Sequence, residues 1–319
     1  MLKTTLESPE TTRSRSDLLR GRLAGAGHPL LLDGATGTEL ERAGLPTGLP
    51  LWSTHALLEA PERVWAIHAA YLRAGAEVIT ANTFRTQRRT LARAALGDRD
   101  AELTRRAVTL ARAAIAEGEG EAGDRNPPAR GQWVAGSLAP LEDCYRPDLL
   151  ADDASLDREH GRQAMLLGDA GVDLILIETM NTIAEARVAA RAAARTGLPF
   201  AVGFVSWEAG RLLSGESLED AALESIDLGA ACVGVNCVPP ASLEASRAAL
   251  VRIDAGLLVS PNLGLPDEHA GFARCDEAGP NAFPDLFDPW LECNARIIGG
   301  CCGTTPSHIA ALAQRLASR

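Results

Sequence analysis

The sequence predicts an α/β fold: a single (β/α)8 barrel of the TIM type, with its active site at the C-terminal ends of the strands. Three observations carry this expectation. Short apolar runs alternate with longer amphipathic stretches along the 319 residues. The runs are continuous in Val, Ile and Leu rather than alternating, which is the pattern of parallel strands buried on both faces. Eight strand–helix units can be counted, and a closed barrel of ~250 residues plus insertions accommodates them better than an open sheet.

In chain order, the strands are expected at 29–32, 77–81, 132–136, 172–177, 199–205, 231–235, 256–259 and 296–298. Between them lie helical patterns. Over 61–74, Val64, Ile67, His68 and Tyr71 share one face and Gly75 follows as a stop. The patterns at 155–169, 184–195 and 217–228 are followed by Gly171, Gly197 and Gly229. Helix, then glycine, then strand is ordinary C-cap punctuation. Thr305 and Pro306 read as the N-cap and first turn of the last helix. Residues 28–319 are expected to form the barrel domain, and residues 1–27 a disordered or peripheral segment. Extra length falls at 40–60 and at 117–130, the latter read as a solvated loop.

Composition narrows the function. Hydrophobic residues make up 46% of the chain and aromatics only 4%, so the core is aliphatic. The net charge of −11 and the lack of a basic stripe argue against a nucleic-acid partner. No apolar run approaches the ~20 residues of a membrane span. Seven cysteines, an odd number with no secretory signal before them, point to a reducing cytoplasm.

In such a barrel, polar residues that close the apolar runs assemble the pocket. Here these include Asp33-Gly34, Asn82-Thr83, Ser137, Glu178-Thr179, Asn236-Cys237, Asn262 and Cys301-Cys302. Strands six and eight are separated by one strand, so Cys237, Cys301 and Cys302 can meet. Gly299, Gly300 and Gly303 give the backbone freedom to turn both adjacent thiols toward one ion. Three thiols form a soft metal site with one position open, as in catalytic rather than structural zinc sites; the alternative is three buried free cysteines. Glu178 ends an apolar strand and needs a cation or hydrogen-bond donors there. His68 reads as packing. His308 lies near the cysteines, but three thiols already suffice. Cys144, Cys232, Cys275 and Cys293 read as core or incidental thiols.

Three motifs also resemble a known family. Asp33-Gly34-Ala35-Thr36-Gly37-Thr38-Glu39, Val235-Asn236-Cys237 and Gly299-Gly300-Cys301-Cys302-Gly303 are similar to those of the zinc-dependent homocysteine S-methyltransferases, over roughly residues 30–316. The resemblance implies Zn2+ on Cys237, Cys301 and Cys302. It also implies a homocysteine pocket built from Asp33, Gly34, Thr38, Thr83, Glu178 and Asn236. The implied reaction is methyl transfer from a small donor to the homocysteine thiolate, forming methionine. S-methylmethionine or S-adenosylmethionine is the expected donor, with betaine or a separate methyl-corrinoid protein as alternatives. Selenocysteine is the alternative acceptor, and a non-catalytic zinc- or thiol-binding barrel the alternative from another class. The chain departs from the family at Leu138-Ala139 and at Leu263, in loops expected to border the donor side.

Overall fold

The eight apolar runs form eight parallel strands in the order β1-β8-β7-β6-β5-β4-β3-β2. They are β1 (Leu30–Leu31), β2 (Val78–Ala81), β3 (Trp133–Leu138), β4 (Leu174–Met180), β5 (Phe200–Phe204), β6 (Cys232–Asn236), β7 (Gly256–Ser260) and β8 (Ala295–Ile298). The ring closes between β1 and β2, where Asp33 N donates to Val78 O at 3.0 Å and Glu77 N to Leu31 O at 2.7 Å. These features belong to a computed structural model that describes residues 9–25, 27–122, 131–208, 210–263 and 278–319.

The helices are α1 (Pro9–Ala24), α2 (Thr36–Arg42), α3 (His55–Glu59), α4 (Pro61–Arg73), α5 (Arg88–Ala92), α6 (Asp100–Ala122), α7 (Asp153–Ala170), α8 (Ile183–Arg195), α9 (Leu218–Asp227), α10 (Leu243–Leu250), α11 (Asp288–Leu291) and α12 (Pro306–Ala317). Local chemistry sets their ends. Asp152, Thr182 and Ser217 cap α7, α8 and α9 by accepting from the backbone N–H three residues on. Gly171 ends α7 at φ +84°, a conformation a Cβ would penalise. No helix among the described residues is long and apolar enough to cross a membrane.

The strands sort their side chains with a period of two. Leu31, Ile79, Val134, Ile175 and Ile177 face outward into the large core shared with the helices. Leu30, Leu32, Val78, Trp133, Ala135, Leu174, Leu176, Ala201, Cys232, Leu258 and Ile297 form a second cluster inside the barrel. The next inward positions along the strands are Thr80, Ser137, Glu178, Asn236 and Ser260. The barrel is therefore apolar through its lower layers and polar at its C-terminal rim.

The structure corrects one expectation, the loop at 117–130, and adds detail to two others. The N-terminal segment is helical over Pro9–Ala24, where a disordered tail was one of the two readings. Its Leu19 and Leu23 are buried in the interior cluster, and its arginines reach the residues that precede the strands. Residues 117–122 continue α6 instead of forming a loop, since their Ala and Glu content sustains helix despite glycines that cost about 1 kcal/mol each; residues 123–130 lie outside the described residues. The 40–60 insertion contains the end of α2, a 3-10 turn at Trp52–Thr54 and α3, and it folds over the rim.

Candidate active site

A cavity of about 590 Å³ opens at the C-terminal rim. Asp33, Gly34, Glu178, Asn236, Cys237, Cys301 and Cys302 all line it. Thr38 and Thr83 do not. Thr38 Oγ1 instead accepts from Gly303 N at 3.1 Å, and Thr83 Oγ1 donates to Ser137 O at 2.9 Å, so both brace the wall from behind.

The cysteines are delivered by backbone geometry. Cys237 N donates to Ser260 O at 3.1 Å, and Cys237 takes φ +54°, an unusual conformation for a residue with a side chain. Cys301 N donates to Pro261 O at 2.9 Å, and Cys302 N to Asn262 Oδ1 at 3.0 Å. Arg42 Nη2 donates to Gly303 O at 2.6 Å, while Thr304 Oγ1 links Cys301 O at 2.7 Å with Ala35 N at 3.2 Å. The cysteine loop is thereby tied to the first loop of the barrel. The three sulfurs lie within 4.8 Å of one another. In this structure Cys237 and Cys301 are joined as a disulfide, with Cα atoms 5.6 Å apart, and Cys302 lies outside that bond. In reduced form the three constitute a soft donor set that could hold a metal, with the cavity on the open side.

Beside the sulfurs lie two carboxyls that pair with no cation among the described residues. Asp33 Oδ2 accepts from Thr80 N and Oδ1 from Thr80 Oγ1, both at 2.8 Å. Burial pushes the Asp33 carboxyl up to about 8, against the bonds from Thr80, and the nearby Glu178 adds to the rise. Glu178 accepts from Ser137 Oγ, and from Asn236 Nδ2 at 3.4 Å. Burial pushes its carboxyl up to about 7, with the Ser137 bond opposing. Asn236 is locked in turn: its Oδ1 accepts from Thr179 N at 2.7 Å, and a Cβ at Gly203 would collide with it. Thr179 sits at φ +64° where the register of β4 against β5 shifts.

Aromatic rings complete the enclosure. Trp52 lies on Gly37, where a Cβ would strike the indole, and packs edge-on to Phe84 at 5.6 Å between centroids. Tyr145 tilts against Trp207 at 5.3 Å. Trp52, Tyr145 and Trp207 pack against the small apolar cluster formed by Val205, Cys237 and Cys302. Cys144 also lines the cavity as a neutral thiol, pushed up to about 12 by burial. Leu138, Ala139 and Leu263 are buried and do not line the cavity, so the departures noted in the sequence act through packing. His308 is spent on capping: Nδ1 accepts from Thr305 N at 3.1 Å, leaving Nε2 to donate to Ala278 O at 3.1 Å. His68 is fully buried, and desolvation lowers it to about 4. Cys275 lies outside the described residues.

Sequence reasoning missed Thr80, Trp52, Arg42, Arg85 and Tyr145. Thr80 had a signal, since it lies two residues beyond the inward Val78. Arg42 ends the short helix α2, Trp52 opens a 3-10 turn, and Arg85 and Tyr145 come from loops, where no period aims a side chain.

A parallel barrel with a cysteine cluster at its C-terminal rim, beside acids that pair with no cation among the described residues, defines a thiol-handling barrel enzyme. A family profile described as homocysteine S-methyltransferase matches residues 30–316. The chain belongs to that family, and it is a methyltransferase. Homocysteine S-methyltransferase from Escherichia coli (strain K12) is 34% identical over 90% of this chain and 94% of its own. Selenocysteine methyltransferase from Astragalus bisulcatus is 31% identical over 95% and 97%. Crystal structures of the E. coli homocysteine methyltransferase MmuM are similar at 30% identity. Its metallated form gives a TM-score of 0.76 over 91% of this chain and 97% of that one, and its oxidized form 0.79 over 93% and 99%.

Proposed function

We propose that this protein transfers a methyl group from a small cationic donor to the thiolate of L-homocysteine, forming methionine. The observation that carries the reading is the cluster of Cys237, Cys301 and Cys302 facing the same cavity as the carboxyls of Asp33 and Glu178, which pair with no cation among the described residues. Cys237, Cys301 and Cys302 are the residues to hold Zn2+, which when bound supplies a Lewis acid that keeps a thiol deprotonated near neutral pH.

The chain's own residues do the rest. Glu178, oriented by Asn236 and Ser137, accepts the ammonium of the amino acid, with Asp33 beside it. A cation there would draw both carboxyls toward their ionised forms. Trp52, Phe84 and Tyr145 present π-faces suited to a sulfonium and keep water from the reacting sulfur. The acceptor sulfur forms the new bond to the methyl carbon as the donor's C–S bond breaks. The electron pair leaves with the donor sulfur, which becomes neutral, and opposite charges cancel in the low-dielectric cavity. S-methylmethionine or S-adenosylmethionine fits this requirement. A selenol would occupy the place of the thiol, and the likeness to a selenocysteine methyltransferase supports that second acceptor.

The test is methionine formation by the reduced, zinc-loaded protein with L-homocysteine and each donor in turn. Product from a sulfonium is expected. No product from any sulfonium, from betaine or from a methylated corrinoid protein would overturn the reading. Product from the corrinoid protein alone would overturn the donor class.

A further inference from the structure

Arg85 follows β2 and lines the cavity, yet it is only 7% exposed. Its Nη1 donates to the backbone carbonyl of Glu142 at 3.1 Å, and its Cζ lies 5.3 Å from the Phe84 ring centroid. The Glu142 carboxylate is turned elsewhere, to Arg89 and Arg93. Among the described residues, no carboxylate pairs with Arg85. It is also the one basic residue among those described as lining the cavity, against the acidic Asp33, Glu41, Asp143 and Glu178.

A guanidinium carries five N–H donors, and among the described residues only one is used here. Holding a largely unpaired cation in a mostly apolar wall is costly unless an anion completes it. Its planar fork matches a carboxylate with two parallel bonds. The reacting amino acid has an ammonium end, for which Asp33 and Glu178 are available. For a carboxylate end, the amides of the first loop are partly spent, since Ala35 N already donates to Thr304 Oγ1.

We propose, resting on the methyl-transfer reading of this cavity, that Arg85 receives the carboxylate of a zwitterionic substrate and selects substrates that carry one. That carboxylate belongs either to the methyl donor or to the thiol acceptor. The charge-assisted fork is the same in both cases.

The experiment pairs R85Q and R85K with carboxyl-blocked substrates. S-methylmethionine is compared with its amide, and L-homocysteine with its amide. R85Q is expected to raise KM about 10–100-fold for the substrate whose carboxylate it holds, with kcat little changed. The amide of that substrate should show no further loss, and KM of the other substrate should stay put. Which KM moves identifies the source. R85K keeps the charge and reach toward Glu142 O but loses the fork, and should fall between wild type and R85Q. Equal slowing of acids and amides, or no change in either KM, would overturn the proposal and leave Arg85 as a brace for Glu142 O. Failure of the wild type to transfer any methyl would instead sink the reaction. Arg85 is then tested by calorimetric titration of L-homocysteine and S-methylmethionine into wild type and R85Q. Weaker binding to R85Q supports the proposal, and equal or absent binding to both overturns it.

Discussion

At the N-terminal end of the barrel, Asp173 and Glu77 are buried beside arginines; at the C-terminal end, Asp33 is buried and Glu178 half-buried, and among the described residues neither pairs with an arginine. Asp173, 1% exposed, pairs with Arg15 at 3.2 Å and Arg112 at 2.8 Å and accepts from Val134 N at 2.8 Å. Glu77 pairs with Arg22 at 3.0 Å and accepts from Leu31 N at 3.2 Å. The same residue types at the rim find, among the described residues, only hydroxyl and amide donors. Their carboxyls are pushed up to about 8 and about 7. The lower end has spent its charges on holding strands and α1 together, while the upper end keeps its charges for something that arrives. Barrels of this type divide stability from chemistry along the same axis.

The largest effect that would sharpen this contrast is loss of a sulfur. Cys302→Ser should abolish metal retention and lower methyl transfer by several kcal/mol, about 10³-fold or more. Elemental analysis and product assays report this, and the thermal midpoint should move little. Full metal content in the variant would remove Cys302 from the donor set.

Next is Glu178→Gln. It should weaken homocysteine binding by about 1.5–3 kcal/mol while leaving the metal in place. Unchanged affinity by calorimetry would assign Glu178 to structure and blur the difference between the two ends.

A smaller effect follows from the raised carboxyls. Between the ordinary values, 3.8 and 4.5, and about 8 and about 7, the folded ligand-free protein keeps protons that the unfolded chain has lost. The stability they contribute is fully present at low pH and is lost as pH rises through 7 to 8. Scanning calorimetry of the ligand-free protein should show this downward component between pH 5 and 8, and Glu178→Gln should flatten part of it. A slope equally steep in the variant would count against Glu178.

The smallest effect belongs to the lower end. Arg15→Ala removes a partner that is itself 28% exposed, so it should cost about 1 kcal/mol or less of stability. KM for homocysteine should not change. A change in KM would mean that the two ends communicate.

The sequence and the structure agree where chemistry repeats along the chain. Strands buried on both faces declare themselves as continuous aliphatic runs, so all eight were legible. Thiols at strand ends were legible because cysteine is uncommon and soft. The inward position of Glu178 follows from counting by twos from Leu174, and the same count from Val78 would have found Thr80. Trp52, Arg42, Arg85 and Tyr145 were not legible, because they sit in loops or at the ends of one- and two-turn elements too short to leave a period. The docking of α1 was hidden for another reason. Among its described side chains, Leu19 and Leu23 join the interior cluster, too sparse a stripe to stand out in a polar segment.

The seating of Trp52 on Gly37 has an optical consequence. Of the five tryptophans, Trp52 lines the cavity, whereas Trp133 is sealed inside the lower barrel and Trp290 is buried in the outer core. An indole at the rim, edge-on to Phe84, changes its surroundings when the cavity fills; the sealed indoles keep theirs. The chain therefore carries its own dye and its own reference, and Trp52→Phe would silence the first while sparing the second.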